Sequence, residues 1–337
     1  MIFFKKLYIS LSCVILLTSI NYITAKVLIF TFVYNRPDFI ELQQKLFKKF
    51  LKDDYEFVIF DDSKTTEITK KIKLVCQTYN ITHIKIPQKL HDRPYLNRYR
   101  TPKWFAQYNN ASSRNCNVVQ YALDTLGFEH DDLVILLESD VFLIKEFSFY
   151  DYMQGYDLAG YDRSPEYSDN RQSLEFLWIG LIYLNMATLT NKYSFNINCG
   201  QIHGVNIDSG GYSHFYLHHI NDARIKLFEK IRIEQLICME CTHAKNYRCS
   251  HNTKLLKALG FDMPTIAFIQ DVPIDWGSGH SRKGLSKRNI EFLQNNSFVH
   301  FSGSSGYAMF SPYCNMEELY KDKAAAFTKY ITYLLDA

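Results

Sequence analysis

The sequence predicts an α/β fold built on a mixed, mostly parallel sheet with helices on both faces and a helical appendage at the C-terminus. Strand-like and helix-like segments alternate through the first 140 residues, the order that gives a parallel sheet. Val27–Val33 is apolar except at Thr31 and Leu133–Leu137 is continuously apolar, the mark of strands covered on both sides. Polar clusters fall just after these strands, at the sheet edge where ligands sit in such folds.

Each element has a local reason. After Val27–Val33, Pro37, Asp38 and Glu41 suit a helical first turn, and Phe39, Leu42, Leu46 and Phe50 share one face. Tyr55–Phe60 predicts a second strand ending in Asp61-Asp62-Ser63. Ile68, Ile72, Val75, Cys76 and Tyr79 then line a second helix, and Ile81–Ile86 predicts a third strand. Ser112 or Ser113 is a candidate cap for a helix faced by Val118, Val119, Ala122 and Leu126 and stopped by Gly127. Leu133–Leu137 ends in Glu138-Ser139-Asp140. Phe176–Leu184 predicts a further strand. Gly204–Gly211 is turn-rich, Tyr212–Ile220 and Asp222–Cys238 predict helices, and so does Met316–Leu335. With no internal repeat and no linker, residues 26–310 are expected to form one domain, with residues 311–337 as the C-terminal helix packed on it.

Charge bounds the partners. The 337 residues carry a formal charge of +3. Lys5 and Lys6 are the only charged residues among the first 25, and the 312 that follow hold 36 bases and 35 acids. Nucleic-acid binding draws on clustered bases, so a body this neutral argues against it. The two lysines precede an apolar run, Leu7–Ile23, and Ala25 offers a small residue for cleavage. Residues 1–25 therefore read as a secretory signal peptide or signal anchor, the latter associating the protein with a membrane. Either places the chain in the secretory pathway or outside the cell. In an oxidising compartment, Cys238, Cys241 and Cys249 favour disulfides; with His243 and His251 their spacing also admits structural zinc. Asn80, Asn110 and Asn295 head glycosylation triplets.

No glycine-rich turn follows the first strand, which argues against a dinucleotide or P-loop cradle. The sharpest chemical signal is Glu138-Ser139-Asp140. Two carboxylates at i and i+2 on a strand tip can both reach one hard cation, such as Mn²⁺ or Mg²⁺, which takes oxygen ligands and shares them with phosphates.

Here the chain resembles the GT-A fold glycosyltransferases, which move a sugar from a nucleotide-diphosphate donor and hold the donor's cation on an Asp-x-Asp motif after a central strand. The resemblance spans about Val27 to Tyr307 and rests on pattern. It implies that Glu138 and Asp140 are metal ligands, with Glu in the motif's first place and Ser139 between them at the donor. Asn35-Arg36-Pro37 resembles the donor-base loop, and Asp61-Asp62 the acidic pair that bonds the nucleoside. Arg114, in Ser113-Arg114-Asn115, matches a segment lying near the donor. His300 resembles a strand-end histidine that gives a third metal or diphosphate contact, with the Gly303–Gly306 loop beside phosphate. Trp178-Ile179-Gly180 followed by Asp208-Ser209-Gly210-Gly211 resembles the acceptor side. It makes Asp208 a candidate acceptor ligand or general base, with Glu234 and Glu175 as alternatives. Asp208 is equally a candidate cap for the helix at Tyr212. His280–Lys283 is a basic loop, read as a solvated surface or a cover for the diphosphate.

The reading is a metal-dependent glycosyltransferase with a nucleotide-sugar donor and a glycan, protein or lipid acceptor. Two other classes compete. A secreted metal-dependent phosphoester hydrolase would use the same acids, but its customary Asp-x-His or His-x-His pairs are missing from the sequence. A non-catalytic carbohydrate-binding protein would leave the acids as plain surface.

Overall fold

A computed structural model of the chain describes residues 26–91, 111–163, 174–202, 205–220, 223–236, 250–272, 290–301 and 316–337. The N-terminal segment 1–25, Asn110, the Cys238, Cys241 and Cys249 cluster, the 280–283 loop and the 303–306 loop lie outside the described residues. Among the described residues, no helix is long and apolar enough to cross a membrane.

The elements run as β1 (Val27–Val33), α1 (Pro37–Phe50), β2 (Tyr55–Asp61), α2 (Thr66–Tyr79), β3 (Thr82–Lys85), α3 (Ala111–Ala122), β4 (Leu133–Glu138) and β5 (Val141–Leu143). There follow α4 (Phe149–Met153), β6 (Leu158–Asp162), β7 (Leu177–Asn185), β8 (Gly200–Ile202), β9 (Val205–Ile207), α5 (Ser213–His219), β10 (Ile225–Leu227) and β11 (Lys230–Arg232). The last are α6 (Ser250–Ala258), α7 (Met263–Asp271), β12 (Ile290–Leu293), β13 (Phe298–Phe301) and α8 (Met316–Asp336).

The main sheet has the order β10-β6-β7-β4-β1-β2-β3. All pairings are parallel except those of β7 with β4 and β6. This is the mixed, mostly parallel α/β sheet the sequence predicts. Period-2 alternation sorts β1 onto two cores. Val27, Ile29 and Val33 pack with Ile40 and Phe47 of α1 and Ile72 and Cys76 of α2. Leu28, Phe30 and Phe32 pack with Val118, Val119 and Ala122 of α3. Helices cover both faces, which is why the strand is apolar at nearly every position.

A second sheet, β11-β12-β13-β5, is antiparallel throughout. The helices α6, α7 and α8 cover it, with Leu256, Phe268, Phe327 and Ile331 in one core with Phe292 and Phe301 of the sheet. Phe301 of β13 stacks on Phe327 of α8 with centroids 4.8 Å apart and planes 1° from parallel. The C-terminal helix thus braces the strand beside the second sheet's buried polar residues.

Three local expectations are corrected. The described part of the segment expected to be a helix over 222–238, residues 223–236, is not one: Ile225–Leu227 pairs with β6, Lys230–Arg232 pairs with β12, and a 3₁₀ turn spans Ile233–Leu236. The spacing of Ile225, Phe228 and Ile231 fits a helix, but two open sheet edges claim the backbone. Asp157 Oδ2 also accepts Arg224 N at 2.9 Å, holding the chain extended at the start of β10. Neither Ser112 nor Ser113 caps α3, which has already begun at Ala111. Asp208 does not cap α5, whose N-cap is Tyr212 with no side-chain hydrogen bond.

Candidate metal and donor site

The chain leaves β1 for β2 and β3 on one side, then returns to place β4 on β1's other side. The carboxyl ends of β1 and β4 therefore flank a topological switch point, where open α/β sheets form a ligand crevice. Tyr34-Asn35-Arg36 follows β1, and Glu138-Ser139-Asp140 ends β4. The acidic triplet is also the turn between the two sheets, because β5 begins at Val141 and pairs with β13. Gln43 of α1 fixes that turn by donating Nε2 to the carbonyls of Glu138 and Val141, at 3.0 and 2.9 Å.

This turn brings the distant His300 to the acids. His300 stands opposite Val141 in the β13–β5 ladder, and Phe301 N donates to Asp140 O at 2.8 Å. His300 Nε2 lies 3.5 Å from Asp140 Oδ1 and 3.9 Å from Glu138 Oε2. One ligand atom from each of the three lies within 4.8 Å of the others, the only such group among the described residues. Behind the site, His300 Nδ1 donates to Glu291 Oε2 at 2.7 Å from directly across the β12–β13 ladder. Lys230 Nζ and Arg232 Nε each lie 3.4 Å from Glu291 Oε1. On the front, Asn115 of α3 donates Nδ2 to Glu138 Oε1 at 3.1 Å. The Trp178 ring sits 4.8 Å from the imidazole. It lies along β7 because residue 180 is glycine: a Cβ there would stand 2.0 Å from the indole.

The electrostatics describe a site strained by its own charges. Burial and the neighbouring Asp140 push the Glu138 carboxyl up to about 7, against the pull of His300 and Asn115. Burial alone would lower His300, but Asp140 and Glu291 outweigh it and hold the imidazolium to about 10. Glu291 is itself held at about 2, burial being overcome by His300, Lys230 and Arg232. Two carboxylates and an imidazole facing one point suit Mn²⁺ or Mg²⁺, whose charge would relieve the repulsion that raises Glu138. These residues fit the cation that the resemblance implies.

The other sequence candidates occupy two neighbouring places. Arg36 caps the entry to α1, pairs with Asp38 and lies 3.5 Å over the Phe39 ring; Asn35 precedes it in the same loop. Asp61 is fully buried and receives Ser63 N, His83 Nε2 and Lys85 Nζ at 2.8, 3.1 and 3.1 Å. Its pKa is lowered: burial pushes it up, but these donors outweigh it. Asp62 is held by Arg114 Nη2 and His91 Nε2, both at 2.7 Å. The Tyr34 ring lies 5.5 Å from the Arg114 guanidinium and 5.7 Å from Lys64 Nζ. Both acids are thus committed to side chains of the protein, and Arg114 joins α3 to the end of β2.

Asp208 follows β9, accepts Arg163 Nη1 at 2.9 Å and turns back onto Ser209 N at 2.8 Å. Its carboxyl is held below the usual range, because Arg163 and its hydrogen bonds outweigh burial. The backbone behind it needs Gly210, at φ +90° with no room for a Cβ against Leu177 O. Glu234 lies in the 3₁₀ turn after β11; its side chain lies outside the described residues. Glu175 is exposed, 3.9 Å from His218.

Gln43, Arg163, Lys230, Arg232 and Glu291 complete these sites and were not sequence candidates, while Asn115, in the segment expected near the donor, instead holds Glu138. One had a readable signal. Asn295-Asn296 between two apolar runs marks a hairpin, and counting outward from it sets Glu291 opposite His300.

No protein-family model matches the chain, and comparison with curated proteins finds no relative. Its structure is similar to several solved glycosyltransferases. Core-mannan synthase A from Aspergillus fumigatus, in its Mn/GDP form, is 12% identical with a TM-score of 0.32, over 50% of this chain and 61% of that one. The mannosyltransferase PcManGT from Pyrobaculum calidifontis, in complex with GDP-Man and Mn²⁺, is 12% identical with a TM-score of 0.30, over 91% and 87%. The galactosyltransferase LgtC, with donor and acceptor sugar analogues, is 12% identical with a TM-score of 0.32, over 48% and 58%. The chain therefore spans about three fifths of the length of the first and third.

Proposed function

We propose that this chain is a metal-dependent glycosyltransferase that moves a sugar from a nucleoside-diphosphate donor to a glycan, protein or lipid acceptor. The observation that carries it is the convergence of Glu138, Asp140 and His300 at the β1/β4 crevice. Glu138 Oε, Asp140 Oδ and His300 Nε2 would hold Mn²⁺ or Mg²⁺. A cation bound there would supply charge stabilisation to a leaving diphosphate. Asn115 aims the Glu138 carboxylate, and Glu291 aims the imidazole. The loop Tyr34-Asn35-Arg36 lines the nucleoside end, with the buried Asp61, Asp62 and Arg114 cluster supporting it and Ser139 beside the diphosphate. The Tyr34 ring, bracketed by Lys64 and Arg114, offers an aromatic face to a base.

Asp208 faces the acceptor side. Arg163 keeps it ionised and so lowers its basicity, which favours binding acceptor hydroxyls over removing their proton; Glu234 stays the alternative base. Residues 26–310 make up the catalytic domain and 311–337 its C-terminal helix. Residues 1–25 export the chain or anchor it at a membrane.

Calorimetry with UDP- and GDP-sugars, with and without Mn²⁺, tests the reading. It expects binding that depends on the cation for at least one nucleotide. Absence of Mn²⁺-dependent binding across the panel would overturn it. Binding of a glycan alone would favour a carbohydrate-binding protein, and release of phosphate from simple esters a hydrolase.

A further inference from the structure

Cys116 and Cys199 lie side by side in the interior and form a separate buried pair of their own. Cys116 is on α3, and Cys199 immediately precedes β8, 83 residues later. The Cys199 backbone N donates to Cys116 Sγ at 3.1 Å, so the two cysteines are in direct contact. Ser113 Oγ lies 3.7 Å from Cys199 Sγ. Cys76, the other cysteine among the described residues, is buried apart from them against β1 and β2. A sulfur hydrogen-bonded to the other cysteine's own backbone places the two side chains in the proximity a disulfide requires.

We propose that Cys116 and Cys199 form a disulfide that ties helix α3 to the β8–β9 hairpin. The oxidant is a disulfide of the glutathione or oxidoreductase class. One thiolate attacks it, giving a mixed disulfide and releasing one thiol. The second cysteine then attacks the mixed disulfide and releases the other. Two protein thiols are oxidised, one external disulfide is reduced to two thiols, and both protein protons end on the leaving thiols.

The position of the bond gives it consequence. Asn115, which holds Glu138, and Arg114, which holds Asp62, directly precede Cys116. The hairpin after Cys199 leads to Asp208. The bond therefore joins the helix serving the metal and nucleoside side to the segment bearing the candidate acceptor residue. A crosslink over so long a stretch also restricts the unfolded chain strongly. Burial pushes the Cys116 thiol well above its ordinary value, so exchange belongs to the folding chain, before the pair is sealed.

The full chain, reduced and unfolded in guanidinium, is refolded in mixed oxidised and reduced glutathione, blocked with a maleimide and digested without reductant. The expected products include a crosslinked species joining the Cys116 and Cys199 peptides, whatever Cys238, Cys241, Cys249 and Cys314 form among themselves, with Cys76 recovered as a blocked thiol. A Cys116→Ser variant refolded the same way should leave Cys199 uncrosslinked. Recovery of Cys116 and Cys199 as separate thiols or glutathione adducts from the refolded parent would overturn the proposal, as would either crosslinked mainly to another cysteine. The readout is covalent, so it stands or falls apart from the glycosyltransferase reading.

Discussion

Glu291 and His300 are cross-strand partners on β12 and β13, and the imidazole Nδ1 donates to the carboxylate at 2.7 Å. That bond turns Nε2 toward Glu138 and Asp140. It is the arrangement in which an outer carboxylate orients a metal-binding histidine, and losing such a partner typically weakens metal affinity by about 10–100-fold. Glu291→Gln keeps the shape and removes the charge. Titration calorimetry should show Mn²⁺ affinity down about 10-fold, with the circular dichroism spectrum unchanged. Parent-like affinity would limit Glu291 to a structural ion pair with Lys230 and Arg232.

The acids are tested most directly by Glu138→Ala with Asp140→Ala. Sugar transfer should vanish while the circular dichroism spectrum persists, because both carboxylates sit on the turn at the end of β4 and neither fills the apolar core. Undiminished turnover would remove both residues from the mechanism.

The pH dependence of metal binding has a definite sign. Glu138, at about 7, and His300, at about 10, each release a proton when the cation binds. Mn²⁺ affinity should therefore rise with pH. The logarithm of the association constant should climb with a slope near two below pH 7, where both groups are protonated, and near one between pH 7 and 10. A flat profile from pH 5 to 8 would contradict this site. Glu291, held at about 2, contributes stability that is present above its unfolded value and lost as pH falls toward 2.

Much of this was legible in the sequence because it is local. Buried strands show as apolar runs, so β1, β2 and β4 and the acids at their ends could be placed by residue number. His300 could be suspected beside a glycine-rich loop. What stayed hidden depends on pairing between distant strands. Lys230 and Arg232 looked helical, and only their place on the edge of the second sheet turns them toward Glu291. Gln43 reads as an ordinary polar helix position until the Glu138–Val141 turn is folded over it. Likewise, Asp61 and Asp62 look alike in the chain, yet one is saturated by Ser63, His83 and Lys85 and the other by Arg114 and His91.

Arg114 provides a stability test. Its guanidinium and Asp62 are both buried, so Arg114→Ala leaves the carboxylate with only His91. Breaking a buried pair from one side costs about 3–5 kcal/mol. Chemical denaturation should show a loss of that order. Asp62→Asn with Arg114→Met, which removes both charges, should recover a large part of it. Nucleoside-diphosphate affinity should fall in both variants if the pair also shapes the donor pocket.

Gly180 tests whether the indole wall matters to the cation. An added Cβ would stand 2.0 Å from the Trp178 ring, so Gly180→Ala must displace the indole. The ring has His300 on one side and Lys230 5.7 Å from its face, and it moves only by disturbing them. Overpacking of this kind costs about 1–3 kcal/mol. The melting temperature should fall, and Mn²⁺ affinity should fall with it. The companion Trp178→Ala with Gly180→Ala removes the clash and should restore the fold while leaving His300 without its wall. If metal affinity returns with the fold, the indole is only packing; if it stays low, Trp178 helps position the imidazole.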